Sequence, residues 1–250
     1  MLKKIIKNVF SLYGYDIVKK NQETLITEIN ENEKIILKKA KKYSLTNNER
    51  LWLLIQSFKY VNRNNIKGDL VECGVWKGGN LILLSELCEL YKIDKKIYGY
   101  DTFEGMTKPN DYDVTYSNKL AEKNLKKYEK DKKNINSMWA VSEYEETKNN
   151  IISNTNYKNF KLIKGDVVST LNDVRNLPDE ISILRLDTDF YESTKKELEV
   201  LYPLLSVGGI LIIDDYGHWK GCQRAVDEYF KEKKIELFMC DFSCRYFIKS

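Results

Sequence analysis

The chain has 250 residues, of which 42% are hydrophobic and 31% charged, and its formal net charge is +4. This composition is typical of a soluble protein with one large domain, or a domain with an appended helical piece. The small and widely spread charge argues against nucleic-acid binding, and no segment is long and apolar enough to predict a transmembrane span.

Five cysteines, an odd number without the spacing of a disulfide framework, predict reduced thiols and a cytoplasmic location. Cys240 and Cys244 lie close together in sequence, but the chain has only one histidine. A zinc site is therefore not expected, because no second pair of ligands accompanies them.

Residues 1 to about 65 are predicted to form an N-terminal helical extension, ahead of a domain that spans 66–250. Lysines among apolar residues at 3–10 indicate a basic helix, which either touches a membrane surface or packs on the body or on a partner subunit. The capping-box pattern of Thr46–Glu49 predicts the start of a further helix. The apolar faces of these helices are compatible with a homo-oligomer.

From Gly68 onward, strands and helices alternate. Strands are predicted at 69–73, 96–100, 160–164, 181–186 and 209–213, with a final hairpin at 236–240 and 245–248. Helices are predicted at 80–91, 117–132, 142–152, 167–174, 191–205 and 223–233. This alternation predicts an α/β fold with a mostly parallel sheet and helices on both faces. A lysine-rich segment around 105–150 interrupts it and is predicted to be a lid or substrate-side insertion.

Two predicted strands run directly into aspartates. Asp187 and Asp189 follow the strand at 181–186, and Asp214 and Asp215 follow the strand at 209–213. Carboxyl ends of parallel strands meet at the ligand-binding edge of a sheet, and carboxylates crowded there must share a cation or a proton. The pattern predicts a metal-assisted active site. Asp189 is expected to cap the next helix rather than bind metal.

A glycine-containing turn after the first predicted strand indicates a cofactor site. Gly74 permits a tight turn and close approach of a ligand. Asp101, at the end of the second strand, is placed to bind ribose hydroxyls, and Asp166, after the third, to reach an adenine amino group. Glu72 would repel a pyrophosphate but suits the amino group of S-adenosylmethionine, which favours that cofactor over a nicotinamide. The alternative is that Glu72 forms a salt bridge or cap at the sheet edge.

Several stretches together carry a family resemblance across residues 45–230. They are GDLVECGVWKGG at 68–79, YDTFEGM at 100–106, LRLDTDFYEST at 184–194, LYPLL at 201–205, GGILIIDDYG at 208–217 and GCQRAVDE at 221–228. With these motifs the chain resembles the S-adenosylmethionine-dependent, metal-requiring sugar O-methyltransferases of the macrocin, mycinamicin and novobiocin type.

The resemblance implies a class I methyltransferase sheet of seven strands, a divalent metal, usually Mg²⁺, and methyl transfer to a sugar hydroxyl. It also implies roles for individual residues: metal ligand and general base for Asp187, metal ligands for Asp214 and Asp215, ribose binding for Asp101, and the methionine side of the cofactor for the backbone around Glu72 and Gly74. Asn80, a further predicted cofactor residue, stands where the family often has Ser or Ala. The segment at 117–150 matches poorly, so the resemblance does not identify the substrate.

The sequence also singles out several residues near these motifs. His218, the only histidine, is either a second base or orienting donor, or an incidental loop residue. Arg185 lies in a buried strand and is expected to form an ion pair with a neighbouring acid. Trp76, Tyr216 and Trp219 either wall the pocket or pack in the core.

The predicted function is therefore Mg²⁺-dependent O-methylation of a small molecule, namely a sugar, a sugar nucleotide or another glycan precursor. One alternative is methylation of a catechol-like or other vicinal diol, since such a substrate can chelate the same metal. A second alternative is a non-catalytic nucleotide-binding or scaffolding protein.

Overall fold

The computed structural model describes residues 6, 9–14, 26–133, 137–233 and 235–250. The predicted basic helix at 3–10 lies largely outside these residues. Helices α1 (Glu31–Lys41) and α2 (Asn48–Arg63) precede the sheet. Within the described part of the chain, no helix combines the length and hydropathy needed to cross a membrane.

A seven-stranded sheet forms the centre of the molecule. Its strands are β1 (Asp69–Cys73), β2 (Ile97–Asp101), β3 (Phe160–Lys164), β4 (Ile181–Leu186), β5 (Leu205–Ile213), β6 (Phe238–Met239) and β7 (Arg245–Ile248). Their order is β3-β2-β1-β4-β5-β7-β6. The first five strands are parallel, whereas β7 runs antiparallel to both β5 and β6. The predicted α/β class and the predicted C-terminal hairpin are confirmed.

Six further α-helices follow β1 in the described residues. They are α3 (Gly79–Tyr91), α4 (Ala121–Lys127), α5 (Tyr144–Asn154), α6 (Val167–Thr170), α7 (Tyr191–Val200) and α8 (Lys220–Tyr229). The predicted helix at 191–205 ends early, because Pro203 enters a short 3-10 helix at Tyr202–Leu204 and has no N–H to continue an α-helix. The lysine-rich helix is likewise shorter than predicted.

The start of α2 differs from the prediction. Its N-cap is Asn47, whose side-chain oxygen accepts the N–H of Arg50 at 2.9 Å, so the capping box expected at Thr46–Glu49 is wrong. Asparagine is at least as good an N-cap as threonine, and in this helix Asn47 occupies the N-cap position. A capping box does form at α1, between Asn30 and Glu33.

Alternate strand residues enter two separate hydrophobic cores, one on each face of the sheet. Leu70 and Ile183 pack with α1, α2 and α3, whereas Val71 and Leu184 pack with α7 and α8. This period of two is that of strands buried on both faces. The N-terminal helices thus share a core with the sheet, and the loops after β1, β2, β4 and β5 are held at one edge.

Candidate active site

A cavity of about 320 Å³ opens at the carboxyl edge of the sheet. Loops that follow β1, β2, β3, β4 and β5 all contribute to its lining, which includes Gly74, Asp101, Asp166, Asp187 and Asp214. This is the edge at which open α/β sheets bind ligands. Two segments of the predicted insertion, residues 105–107 and 137–140, form a further wall.

Three carboxylates, those of Asp187, Asp214 and Asp215, converge beside this cavity and are called the acid triad below. Asp187 follows β4, and Asp214 and Asp215 follow β5; one oxygen from each lies within 4.8 Å of the others. Asp215 Oδ2 is buried and finds no hydrogen-bond partner in the part of the chain that the structure describes. An oxygen-only donor set with an unpartnered buried oxygen fits a hard divalent cation such as Mg²⁺. Burial raises the pKa of Asp187 and of Asp215, and repulsion between the acids raises both further.

Arg185 lies beneath these acids, as the predicted ion pair requires. Its side chain is 3% exposed, and Nη1 donates to Glu72 Oε1 at 2.6 Å and to Asp187 Oδ2 at 2.7 Å. Nη2 donates to Asp214 Oδ1. The guanidinium therefore fixes two of the three triad acids and compensates part of their charge.

A second arginine reaches the triad from outside the sheet. Arg50, in the first turn of α2, donates from Nη1 to Asp214 Oδ2 and from Nε to Asp241 Oδ2 at 2.7 Å. Arg50 and Asp241 could not be predicted from the sequence, because Arg50 lies 164 positions from Asp214 and 191 positions from Asp241 in the chain. No local pattern marks such a contact.

Asp189 has a different role from the predicted helix cap. Its φ is +67°, in the left-handed region, and its carboxyl group lies beside the side chains of Asp215 and Trp219. Burial raises its pKa to about 7. The N–H of Tyr191 at the start of α7 is instead accepted by Asp113 Oδ1 at 2.9 Å. The cap prediction is wrong because Asp113, a buried acid that sequence analysis overlooked, takes that position.

Asp101 is placed in the cavity by backbone donors. Its Oδ2 accepts the N–H groups of Val75 and Trp76, both at 2.8 Å, and Oδ1 accepts the N–H of Phe103 at 2.7 Å. These bonds join the end of β2 to the turn that follows β1. They fix the orientation of the carboxylate that the sequence assigns to a ribose.

Three of the other predicted cofactor residues line the cavity. They are Gly74, Asn80 and Asp166, and Asp166 also caps α6 through the N–H of Val168 at 2.9 Å. Glu72 lies behind them, 1% exposed, and its Oε1 accepts from Asn80 Nδ2 at 2.6 Å and from Arg185. Burial raises its pKa to about 7. The contacts of the Glu72 side chain are thus those of a buried salt bridge.

His218 lies in the loop after β5, where its backbone N–H donates to the backbone oxygen of Asp215 at 3.0 Å. Its ring packs among aromatic rings, with centroids 5.0 Å from Trp219 and 6.0 Å from Tyr116. Burial and the nearby Arg50 charge lower its pKa, so the imidazole is neutral at physiological pH.

The three aromatic residues with two interpretations fall into both classes. Trp76 lines the cavity. Trp219 is buried and packs edge-on against Phe190 at 5.6 Å, and Tyr216 donates its hydroxyl to Asp227 at 2.8 Å.

The chain is similar to known methyltransferases over most of its length. A family model described as macrocin-O-methyltransferase (TylF) matches residues 17–249. Demethyldecarbamoylnovobiocin O-methyltransferase of Streptomyces niveus is 32% identical over 191 residues, which are 76% of this chain and 68% of the relative. Mycinamicin III 3''-O-methyltransferase of Micromonospora griseorubida is 30% identical over 168 residues, 67% of this chain and 62% of the relative.

Among solved structures, that of the O-methyltransferase NovP superposes with a TM-score of 0.69 at 32% identity. The superposition covers 83% of this chain and 82% of NovP. The arrangement of the sheet and of its carboxyl edge is therefore that of a methyltransferase.

Proposed function

This chain belongs to the macrocin-O-methyltransferase (TylF) family, and from that premise we propose that it transfers a methyl group from S-adenosylmethionine to a sugar hydroxyl with the help of Mg²⁺. The observation that carries the proposal is the convergence of Asp187, Asp214 and Asp215 beside a cavity that Asp101 also lines. The names of both relatives describe O-methyl transfer, to demethyldecarbamoylnovobiocin and to mycinamicin III, and support the reaction class.

We assign the cofactor to the part of the cavity near β1 and β2. Asp101 would accept the ribose hydroxyls, Asp166 the adenine amino group, and the turn at Gly74 with Asn80 would contact the methionine part. The cavity volume of about 320 Å³ lies within the range of small-molecule sites. When bound, S-adenosylmethionine supplies the electrophilic methyl group.

The metal would be held by Asp187, Asp214 and Asp215. When bound, Mg²⁺ acts as a Lewis acid that lowers the pKa of a sugar hydroxyl. Asp187 is the proposed general base, because the family resemblance implies that role and the residue lines the cavity. Arg185 holds its carboxylate in place through the 2.7 Å contact. His218 is not among the residues that line the cavity, but it follows the triad acids of the β5 loop and is proposed to orient substrate or accept the proton.

The insertion around 105–150 is proposed to be the substrate-side lid of a domain that spans 66–250. Met106 donates its N–H to Trp139 O at 3.0 Å, and Trp139 Nε1 donates to Leu125 O at 2.9 Å, so its two halves form one wall. All five cysteines are free thiols, which supports the proposed cytoplasmic location.

Calorimetric titration with S-adenosylmethionine, followed by methyl-transfer assays, tests the proposal. Glycosides, sugar nucleotides and catechols would be compared as acceptors in the presence of Mg²⁺. We expect cofactor binding and methylation of a sugar hydroxyl. Absence of cofactor binding would contradict the proposal, and methylation of catechols alone would replace the sugar by the diol alternative.

A further inference from the structure

Arg50 connects the acid triad to the turn between β6 and β7. Its side chain is 13% exposed, lines the cavity, and bridges Asp214 and Asp241 through two different nitrogens. The bridge places a positive charge from α2 directly against a proposed metal ligand.

Both carboxylate oxygens of Asp214 already face a guanidinium. Oδ1 accepts from Arg185, and Oδ2 accepts from Arg50. A divalent cation on Asp214 would share this carboxylate with at least one arginine. Because like charges on one carboxylate repel, metal binding and one of these ion pairs oppose each other.

Arg185 is the less adaptable of the two arginines. Its side chain is 3% exposed, and it also bonds to Glu72 and Asp187, so releasing it would leave buried acids without a partner. Arg50 is more exposed and has an alternative acceptor in Asp241. Arg50 is therefore the arginine that can leave Asp214 at the lower cost.

Asp241 is built to keep that guanidinium. Its Oδ1 accepts the N–H groups of Ser243 and Cys244 at 2.9 and 2.7 Å, and its Oδ2 accepts from Asn47 Nδ2 at 2.6 Å besides Arg50. Burial raises the pKa of Asp241, but the hydrogen bonds, that from Arg50 first, outweigh it and lower the pKa to about 2. Asp241 is thus a fixed anion that does not belong to the group of acids proposed to hold the metal.

We propose that Arg50 is a positioning residue that pairs with Asp214 in the metal-free protein, and that Asp241 retains its guanidinium when a divalent metal takes Asp214. The inference rests on the metal site of the proposed function. Arg50 opposes metal binding, and Asp241 favours it by drawing Arg50 away. The effect of Asp241 on the metal then depends on the presence of Arg50.

Titration with Mn²⁺, followed by electron paramagnetic resonance, measures this dependence without any substrate. We expect Arg50→Gln to tighten Mn²⁺ binding about fivefold and Asp241→Asn to weaken it by a similar factor. In the double variant, Asp241→Asn should add little to Arg50→Gln. Thermal unfolding in EDTA establishes that each variant is folded before titration.

Matched controls come from an exposed pair of the same kind. Arg175 and Asp173 form a surface ion pair with Arg175 86% exposed, so Arg175→Gln and Asp173→Asn repeat both charge changes away from the triad. These should leave Mn²⁺ affinity unchanged. Absence of Mn²⁺ binding by the unmodified protein would remove the proposed metal site and this inference with it. Normal binding that Arg50→Gln weakens or leaves unchanged, or an effect of Asp241→Asn that persists without Arg50, would overturn the inference alone.

Discussion

The main-chain oxygen of Asp187 lies 2.0 Å from the position that a Cβ atom on Gly74 would occupy. Gly74 also has a φ of +88°, and its N–H donates to Tyr100 O at 2.8 Å. The sequence suggested that this glycine admits a ligand. The structure shows that it admits the backbone of the proposed base, so β1 and β4 can approach where the cavity begins.

Gly74→Ala should therefore damage both stability and the site. A left-handed φ and a backbone clash together should lower the free energy of unfolding by roughly 2–4 kcal/mol, measured by urea denaturation. Gly208→Ala is the matched control, since its φ is +81° but the neighbouring atom is the Cδ1 end of the Ile66 side chain. An equal loss in both variants would show that the clash with Asp187 contributes nothing.

Asp187→Asn should abolish turnover while leaving cofactor binding nearly unchanged. The amide cannot accept the proton and is a weaker metal ligand, so the rate should fall by at least about 100-fold. Methyl-transfer kinetics and titration with S-adenosylmethionine measure the two effects separately. Substantial residual turnover would assign the base to another residue, with His218 the first to test.

Removal of divalent metal should inhibit the protein reversibly. EDTA should suppress methyl transfer, and Mg²⁺ added in excess should restore it, because the three triad acids repel one another without a cation. Extensive dialysis against EDTA followed by assays with and without Mg²⁺ checks this. Full activity after dialysis would contradict the role assigned to the triad.

Asp113→Ala should loosen the loop that precedes α4. Asp113 is 1% exposed; Oδ1 caps α7 at Tyr191, and Oδ2 accepts the N–H of Asn110 at 2.7 Å. Loss of the cap should lower the free energy of unfolding by about 1–2 kcal/mol, and limited proteolysis should cut the loop faster. Asp111→Ala removes an exposed acid from the same loop and should change neither measurement.

Glu197 should make stability fall as the pH rises. It is fully buried in α7, accepts from Thr188 Oγ1 at 2.9 Å, and burial raises its pKa from 4.5 to about 8. Between these values the unfolded chain has released a proton that the native protein keeps. The contribution of protonated Glu197 to the free energy of unfolding is therefore complete below the unfolded pKa and is lost as the pH passes about 8.

The glutamine of Glu197→Gln cannot ionise, so the variant should become more stable relative to the unmodified protein as the pH rises. We expect little difference at about pH 5 and a gain of roughly 2 kcal/mol at about pH 9, measured by denaturation at both values. Glu199→Gln, on the exposed side of the same helix, serves as the control. A difference that is constant with pH would contradict a protonated native Glu197.

The sequence was sufficient to predict the strands and the acids that end them. Leu184 and Ile212 belong to apolar runs that stop at aspartates, a pattern that positions Asp187 and Asp214 without any knowledge of the packing. What it could not predict depends on contacts between distant residues. Arg50 reaches the triad only because α2 packs on the sheet, and Asp113 displaces Asp189 as the cap of α7 only because the insertion folds back.

Three ion pairs around the triad join parts of the chain that are distant in sequence. The separations are 113 positions for Glu72–Arg185, 164 for Arg50–Asp214 and 191 for Arg50–Asp241. Contacts between residues this far apart in sequence cannot form before most of the polypeptide has reached its final topology. Partly folded forms of the chain should accordingly have no specific affinity for the divalent metal ion. Binding of this ion should therefore report complete folding, and an excess of the ion should raise the melting temperature of the whole molecule.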